Sequence, residues 1–327
     1  MSNILLIVSY SLIAIVSLIG NLLVIKVVYS HRLSRTTTNV LIGNLAVADL
    51  LMTIINIPFN ITRVLLDNWP FGQLLCITVP LIQTTSVYCS TITMMVIALE
   101  RYRTLVNNNG FKNMFYTLSM IWLVSLLLSL PHGVFNKVIV LNDWQNLTRC
   151  RVQYPIRSDI FRKGLTVFTL ITQYVLPILL TCLCYTRICY SLCKRKFVGI
   201  VTDRHRNHLI RHKRRRIKVL VLVVLVFAIC WLPFNIYHLL VDFDIINFSL
   251  SLFFLNHWLA MSNVCYNPFI YCWMNNDFQN KLRVLFKCLS TRNTINNNNN
   301  NNNNDNSTVN ETVFGVNILT DRFSELK

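Results

Sequence analysis

Five polar side chains stand inside otherwise apolar stretches of this 327-residue sequence, and their types suggest one chemistry. Asn21 lies in GNLLV, Asp49 in NLAVADLL, Ser90 in VYCSTITMM, and Asn263 and Asn267 in SNVCYNPFIY. Polar groups in such surroundings are costly and usually functional. One carboxylate among amide and hydroxyl oxygens suits a hard monovalent cation such as sodium, if the stretches pack with these groups at one depth. The same set could form a hydrogen-bonded packing network without an ion, and the residue types alone leave both open. A second constellation is the adjacent acid and base Glu100 and Arg101, near the end of MMVIALERYRTLV. A third is FAICWLPF, where Phe227 lies four residues before Trp231, on the same helical face, and Pro233 follows. A bulky ring beside a proline kink can act as a movable lever. Pro58, Pro131, Pro177 and Pro268 interrupt other apolar stretches and allow kinks there. No His/Glu metal spacing and no nucleophile motif appears in the apolar stretches, so no catalytic residue and no resident metal beyond sodium is expected.

The elements that must position these groups follow from composition. The chain is 54% hydrophobic and 13% charged, against about a quarter charged in a soluble domain, and its mean hydropathy is positive. That points to a membrane-embedded protein. A spanning helix needs roughly 20 mostly apolar residues, and seven segments qualify: 4–29, 39–64, 74–106, 116–135, 164–191, 217–241 and 252–274. The first is too long for a signal peptide core, so no cleavable leader is expected. Eleven of the 31 Lys and Arg residues fall between Lys194 and Lys218. Only Phe197 interrupts them as an aromatic, so a polybasic inner loop explains the net charge of +18 better than a nucleic-acid face. The first and third breaks are basic as well, through His31, Arg32, Arg35, Arg101, Arg103 and Lys112. Asp67, Asp242 and Asp244 mark the second and sixth breaks. The N-terminus is therefore expected outside and the C-terminus inside. The fourth break disagrees, with Lys137, Arg149, Arg151, Arg157, Arg162 and Lys163 against Asp143 and Asp159, but the basic block outweighs it.

Phe278, Leu282, Leu285 and Phe286 form a stripe at helical spacing, with Lys281, Arg283 and Lys287 elsewhere. They predict a short amphipathic helix on the inner leaflet. Cys288 at its end is either a palmitoylation site or a plain free thiol. An asparagine run from Asn296 predicts disorder. The expected organisation is all-α: a seven-transmembrane helix bundle with an amphipathic eighth helix over residues 1–288, then a disordered tail over 289–327. Most of the eleven cysteines lie in apolar runs, where a buried thiol is expected; Cys76 and Cys150 lie at segment edges instead.

In order along the chain, these features resemble the rhodopsin-like (class A) G-protein-coupled receptors. The matching elements are GN (Gly20, Asn21), NLAVADLL, WPFG (Trp69 to Gly72), Cys76, ERY (Glu100 to Tyr102), Trp122, Cys150, Pro177, Tyr185, CWLP (Cys230 to Pro233) and NPFIY (Asn267 to Tyr271). The resemblance implies a disulfide between Cys76 and Cys150. It implies a sodium pocket of Asp49, Ser90, Asn263 and Asn267, with sodium the sole candidate cofactor. Trp231 becomes the toggle beneath the ligand. The residues that rearrange on activation become Glu100, Arg101, Tyr102, Tyr185, Phe227, Trp231, Pro233, Asn267, Pro268 and Tyr271. It further implies a heterotrimeric G protein and arrestin as inner partners, and a multi-pass protein of the plasma membrane.

The ligand class follows from the outer halves of the segments. Amine receptors carry an Asp about two turns inside Cys76, where this chain has Gln83. Opsins need a Lys in the seventh segment, and residues 252–274 contain none. Only Met1 to Asn3 precede the first segment, so the ligand is expected to enter the bundle mouth. VYCSTITMMVIALERY and AMSNVCYNPFIYCWMN look like the neuropeptide Y, neuropeptide F and prolactin-releasing-peptide receptor group. That likeness assigns Gln83 to the amidated end of a peptide and Asp242 to its arginine, with His257, His238 and Trp231 in the same pocket. A guanidinium needs a carboxylate, and Gln83 can both donate and accept. Asp242 lies eleven residues, about three turns, outward of Trp231.

Rivals remain within this view: a receptor for another amidated peptide, such as a tachykinin-like one, or a seven-helix transporter or channel. A transporter would more naturally show internal repeats, and none is seen. Asn146 and Asn247 are glycosylation candidates, and Asn60 is a weaker one near the membrane. Two departures from the family concern the inner end. The resemblance implies that Glu100 holds Arg101 inward at rest; the acid that usually adds a second lock in the sixth segment is Lys213 here, so that lock is absent and raised basal activity is expected. The usual proline after the ERY motif is Asn108, within NNNG, which bears on G-protein docking.

Overall fold

The computed structural model describes residues 3–30, 36–66, 68–107, 109–111, 113–142, 147–154, 158–194, 203–274, 279 and 283. The chain divides into Met1–Asn280 and Lys281–Lys327, and the architecture below belongs to the first unit. The expected amphipathic helix at 278–286, Cys288 and the asparagine-rich tail lie outside the described residues, apart from helical Gln279 and Arg283.

Among the described residues there are seven long helices and one hairpin. Helix α1 is Asn3–Ser30. Helix α2 runs from Thr37–Leu51 through a π-helical segment, Met52–Asn56, into Ile57–Leu66. Helix α3 is Gly72–Val106 and α4 is Met114–Val134. Helix α5 runs from Ser158–Thr169 through a second π-helical segment, Leu170–Val175, into Leu176–Lys194. Helix α6 is Asp203–Asp242 and α7 is Leu250–Met274. Long apolar runs become helices because only internal hydrogen bonding satisfies the backbone away from water. Thr36 starts α2 by accepting from the Asn39 amide at 3.3 Å, and Asn113 starts α4 by accepting from the Tyr116 amide at 3.2 Å.

Six of these helices are long and apolar enough to cross a membrane: those at Ile4–Tyr29, Thr37–Thr62, Gly72–Val106, Met114–Val134, Asp159–Ser191 and Ile217–Asp242. Helix α7 is long enough, but Asn256, His257, Ser262, Asn263 and Asn267 dilute its apolar character. That dilution fits its position, because α7 packs against α1, α2 and α6. Helix α3 runs through the middle and touches α2, α4 and α5. The outward side of α1 carries Ile4, Val8, Leu12, Ile15 and Ile19 at spacings of three and four, all exposed, a face made for lipid. On α4, Ser125, Ser129 and Gly133 form a stripe of small residues, and a Cβ on Gly133 would stand 2.9 Å from Leu81 Cβ of α3. Gly20 lets α1 approach α7 in the same way, its missing Cβ 2.9 Å from Pro268.

Two features depart from the sequence-based expectation. Residues 136–163 are not only a loop, because β1 (Asn136–Asn142) pairs antiparallel with β2 (Leu147–Val152), so the all-α bundle carries a two-stranded hairpin. The β-branched residues Val138, Ile139 and Val140 favour that strand. The basic block is also not simply a loop, because α6 begins at Asp203 and its Arg and Lys residues are good helix formers. At 40 residues α6 is roughly 60 Å long, about twice the hydrocarbon thickness.

Candidate functional site

The mouth of the bundle is framed by the hairpin. The disulfide between Cys76 and Cys150 forms, joining the start of α3 to β2 with their Cα atoms 5.6 Å apart. Trp69 and Val79 pack against it with Phe59, Phe71 and Val138. Side chains that complete backbone hydrogen bonds hold the hairpin as well. Gln73 donates to the Asn136 carbonyl at 2.8 Å and accepts from the Val138 amide at 2.9 Å. Asn68 Oδ1 accepts from the Trp69 and Thr148 amides, both at 2.8 Å. Gln73 and Asn68 carry no chemical signature in sequence; only the adjacent strand gives them a role.

Gln83, about two turns after Cys76 on α3, is half-buried, and its side chain has no hydrogen-bond partner among the described residues. Trp231 is buried below, stacked on Phe227 with centroids 5.9 Å apart and edge-on to Phe234 at 5.7 Å. His238 lies 4.4 Å from Phe234, and its Nε2 is buried without a hydrogen-bond partner. His257 is only 1% exposed, which differs from an open pocket wall. Its Nδ1 is 2.6 Å from the Tyr10 hydroxyl, and its ring stacks on Phe253 at 5.6 Å. In this conformation His257 backs the aromatic wall of the mouth and ties α7 to α1.

Where α5 begins and α6 ends, the charges are sorted by partner. Thr166 donates its hydroxyl proton to Asp242 at 2.5 Å, and no cation pairs with Asp242 among the described residues. Asp244 receives Arg162 at 3.0 Å and Lys163 at 2.9 Å. Those hydrogen bonds, Lys163 first, hold the exposed Asp244 carboxyl below the usual carboxylate range. Tyr154, in the segment after β2, is pushed up chiefly by burial and then by the nearby Asp242 charge. Arg162 and Lys163 are two of the cations that made the fourth break anomalously basic, and Asp244 offsets them.

Three of the five central polar residues meet, Asp49, Ser90 and Asn267. Asp49 is 1% exposed, and Asn267 donates to its Oδ2 at 2.8 Å while Ser90 reaches its Oδ1 at 3.4 Å. Asn21 donates to the Ser17 and Val264 carbonyls, both at 3.0 Å, joining α1 to α7. The side-chain oxygens of Asn21, Asn263 and Asn267 are buried and accept no hydrogen bond among the described residues. Buried amide oxygens without a donor, of which that of Asn267 belongs to a residue bonded to the Asp49 carboxylate, are of the type a sodium ion takes. Asn44 adds a second tie, donating to Thr93 at 2.8 Å and accepting from the Trp122 indole at 2.9 Å.

At the opposite end, Glu100 is 5% exposed and clasps the segment that follows α3. The Phe111 amide donates to its Oε2 at 2.9 Å and the Thr104 hydroxyl to its Oε1 at 3.3 Å. Arg103 lies over the Phe111 ring at 5.0 Å. Arg101 is half-buried and within electrostatic range of Tyr185. Tyr185 and Tyr271 are both buried and line one small cavity with Met94, Ile97, Leu220, Val223 and Val224. Tyr102, next to Arg101 in sequence, is half-buried, and Pro233 and Pro268 sit inside α6 and α7. Of the glycosylation candidates, Asn247 is exposed, whereas Asn146 lies outside the described residues, as do Asn108 and the Lys213 side chain. The clasp was not foreseen from sequence, although the glycine at 110 was its one visible signal.

The comparisons with known proteins agree with this geometry. The pattern of the 7 transmembrane receptor (rhodopsin family) matches residues 20–271. The chain is 35% identical over 298 residues to neuropeptide Y receptor type 2 of Mus musculus, covering 88% of this chain and 77% of that one. It is 32% identical over 306 residues to the RYamide receptor of Tribolium castaneum, covering 88% and 82%. It is 33% identical over 287 residues to tachykinin-like peptides receptor 99D of Drosophila melanogaster, covering 84% of this chain but only 55% of that longer relative. This is a family of multi-pass membrane receptors and not of enzymes, which sets aside the transporter or channel alternative. The chain belongs to the rhodopsin family of seven-transmembrane receptors.

Proposed function

We propose that this receptor is switched on by a C-terminally amidated neuropeptide of the RF- or RY-amide kind and passes the signal to a heterotrimeric G protein. The observation that carries this is Asp242, a carboxylate in the mouth with a neutral hydroxyl, and no cation, as its partner among the described residues. A ligand guanidinium supplies the missing countercharge, and the uncommitted Gln83 amide bonds the peptide's terminal amide. Insertion presses on the Phe234–Trp231–Phe227 stack, which leads inward to Tyr185, Tyr271 and Arg101. The relatives' names, neuropeptide Y and RYamide, support the ligand class. In this proposal the mouth and the N-terminus face outward at the plasma membrane, and the Glu100 end faces the G protein and arrestin. Asp49, Ser90, Asn21, Asn263 and Asn267 would hold a sodium ion, whose charge offsets that of Asp49 at rest.

The test is a panel of amidated peptides and their free acids on cells expressing the receptor, read by G-protein activation. An Arg-containing amide is expected to activate and its free acid to lose most potency. Asp242→Ala should weaken the Arg-containing peptide far more than an Arg-deleted one; equal losses would defeat the pairing. Added sodium should lower peptide affinity in the wild type and leave Asp49→Asn unaffected; the same sodium response in both would remove the ion from the site. A tachykinin-like peptide is the second reading, favoured by the Drosophila relative. It would show as activation by amidated peptides outside the RF and RY series.

A further inference from the structure

Asp242 and Asp244 stand two residues apart at the end of α6, yet they face different partners. Asp242 is in the last helical turn. Asp244 lies beyond it with φ of 60°, a left-handed conformation that Asp tolerates better than most residues. The Asp244 amide returns to the Val241 carbonyl at 3.1 Å and the Ile245 amide to the Leu240 carbonyl at 2.9 Å, closing the helix. That reversal turns the Asp244 carboxylate onto Arg162 and Lys163 of α5. Lys163 is held further by the Phe243 ring, 5.8 Å from its Nζ. Arg162 and Thr166 are one turn apart on α5, so Arg162 is the cation next along the face that binds Asp242. It is close enough for the two charges to interact.

We infer that Asp244 is a decoy acceptor, which occupies Arg162 and Lys163 so that Asp242 stays open to the guanidinium of an arginine-containing ligand. The inference rests on the pairing of Asp242 with ligand arginine proposed above. Without Asp244, Lys163 would lose its partner and Arg162 would keep only Asp159, at 3.7 Å, so both cations, one turn away, would compete for Asp242 from within the molecule. An internal ion pair would then have to be broken before any ligand arginine could bind. Thr166 complements the decoy, because a hydroxyl orients the carboxylate without neutralising it. Stability does not explain the arrangement: Asp244 is 61% exposed, and exposed ion pairs contribute little to folding. Its effect is therefore read in ligand selectivity.

The experiment uses the full chain in membranes and two probes, an amidated Arg-Phe peptide and the same peptide with neutral citrulline for arginine. Asp244→Asn keeps a residue that accepts the left-handed turn. It should cost the arginine peptide roughly tenfold in affinity and change the citrulline peptide less than about twofold. Adding Arg162→Gln and Lys163→Gln should restore the arginine preference, because the competing cations are then gone. Asp242→Asn should make the two probes bind alike, and Asp244→Asn should then have no further effect. Equal loss of both probes in Asp244→Asn would overturn the inference in favour of a turn-forming role. No change for either probe would overturn it because the cations do not compete. If Asp242→Asn leaves the arginine preference intact, or neither probe binds the wild type, the ligand pairing itself falls and the decoy with it. An Asp242→Asn effect without an Asp244→Asn effect removes the decoy alone.

Discussion

The two ends of the bundle are fastened by different means. At the disulfide end, a covalent bond, the Gln73 pair and the Asn68 acceptor hold the hairpin over the mouth, and an aromatic cluster packs beneath it. At the Glu100 end, one carboxylate gathers the Phe111 amide and the Thr104 hydroxyl, and Arg103 covers the same phenyl ring. The first set resists rearrangement. The second can be undone by moving one side chain. A site that must recognise a ligand gains from being pre-formed, whereas a site that must change shape needs an element with two arrangements of similar energy.

The comparison can be broken most forcefully at the disulfide. Cys76→Ser should cost about 2–5 kcal/mol of stability and most of the peptide binding, seen in thermal unfolding and surface expression. Retained binding at full expression would mean that the noncovalent fastenings suffice. Gly110→Ala should have a smaller effect, confined to the other end. The new Cβ would stand 2.9 Å from Glu100 Oε1 and 3.3 Å from Thr104 Oγ1, so the carboxylate must swing away. Losing the Phe111 bond to a charged acceptor costs about 1.5–3 kcal/mol. Nucleotide exchange without ligand should rise several-fold, and an unchanged rate would show that the clasp does not hold the resting state. This sharpens the expectation of raised basal activity, since without a second lock the clasp carries more of the restraint.

The smallest effect is the pH response of the Asp244 clamp. Its folded pKa lies below the ordinary carboxylate value, so its contribution is fully present above about pH 4 and is lost as pH falls through the lower folded value. The difference in melting temperature between wild type and Asp244→Asn should stay constant from about pH 7 to 5 and shrink only at more acid pH. A difference that shrinks near neutrality would point to a histidine instead.

The helices were legible because their apolar runs exceed what a soluble helix needs. Asp49, Ser90 and Asn267 were legible because a polar group in such a run demands a partner, and here they partner one another. The hairpin was hidden because 136–163 is too polar to read as buried strand, and one of its noncovalent fastenings, Gln73, lies 63 residues before Asn136. The burial of His257 depends on Tyr10, 247 residues away at the other end of the bundle's sequence. No local pattern reports such a distance. The opposite fates of Asp242 and Asp244 turn on one left-handed backbone position, which composition does not reveal.

The two π-helical segments carry a consequence for how this molecule can vary over time. Each is followed within two residues by a proline, Pro58 in α2 and Pro177 in α5, whose missing N–H frees a carbonyl in the preceding turn. A π turn holds one residue more than an α turn, and everything beyond it is rotated by about 100°. It is thus a place where a helix can absorb an inserted or deleted residue. In α2 the segment separates Asp49 from Phe59; in α5 it separates Thr166 from Tyr185. The wall of the mouth can be re-aimed by a single insertion or deletion there, while the signalling half keeps its register. Recognition and transduction can thereby be inherited as separately adjustable halves of the same helices.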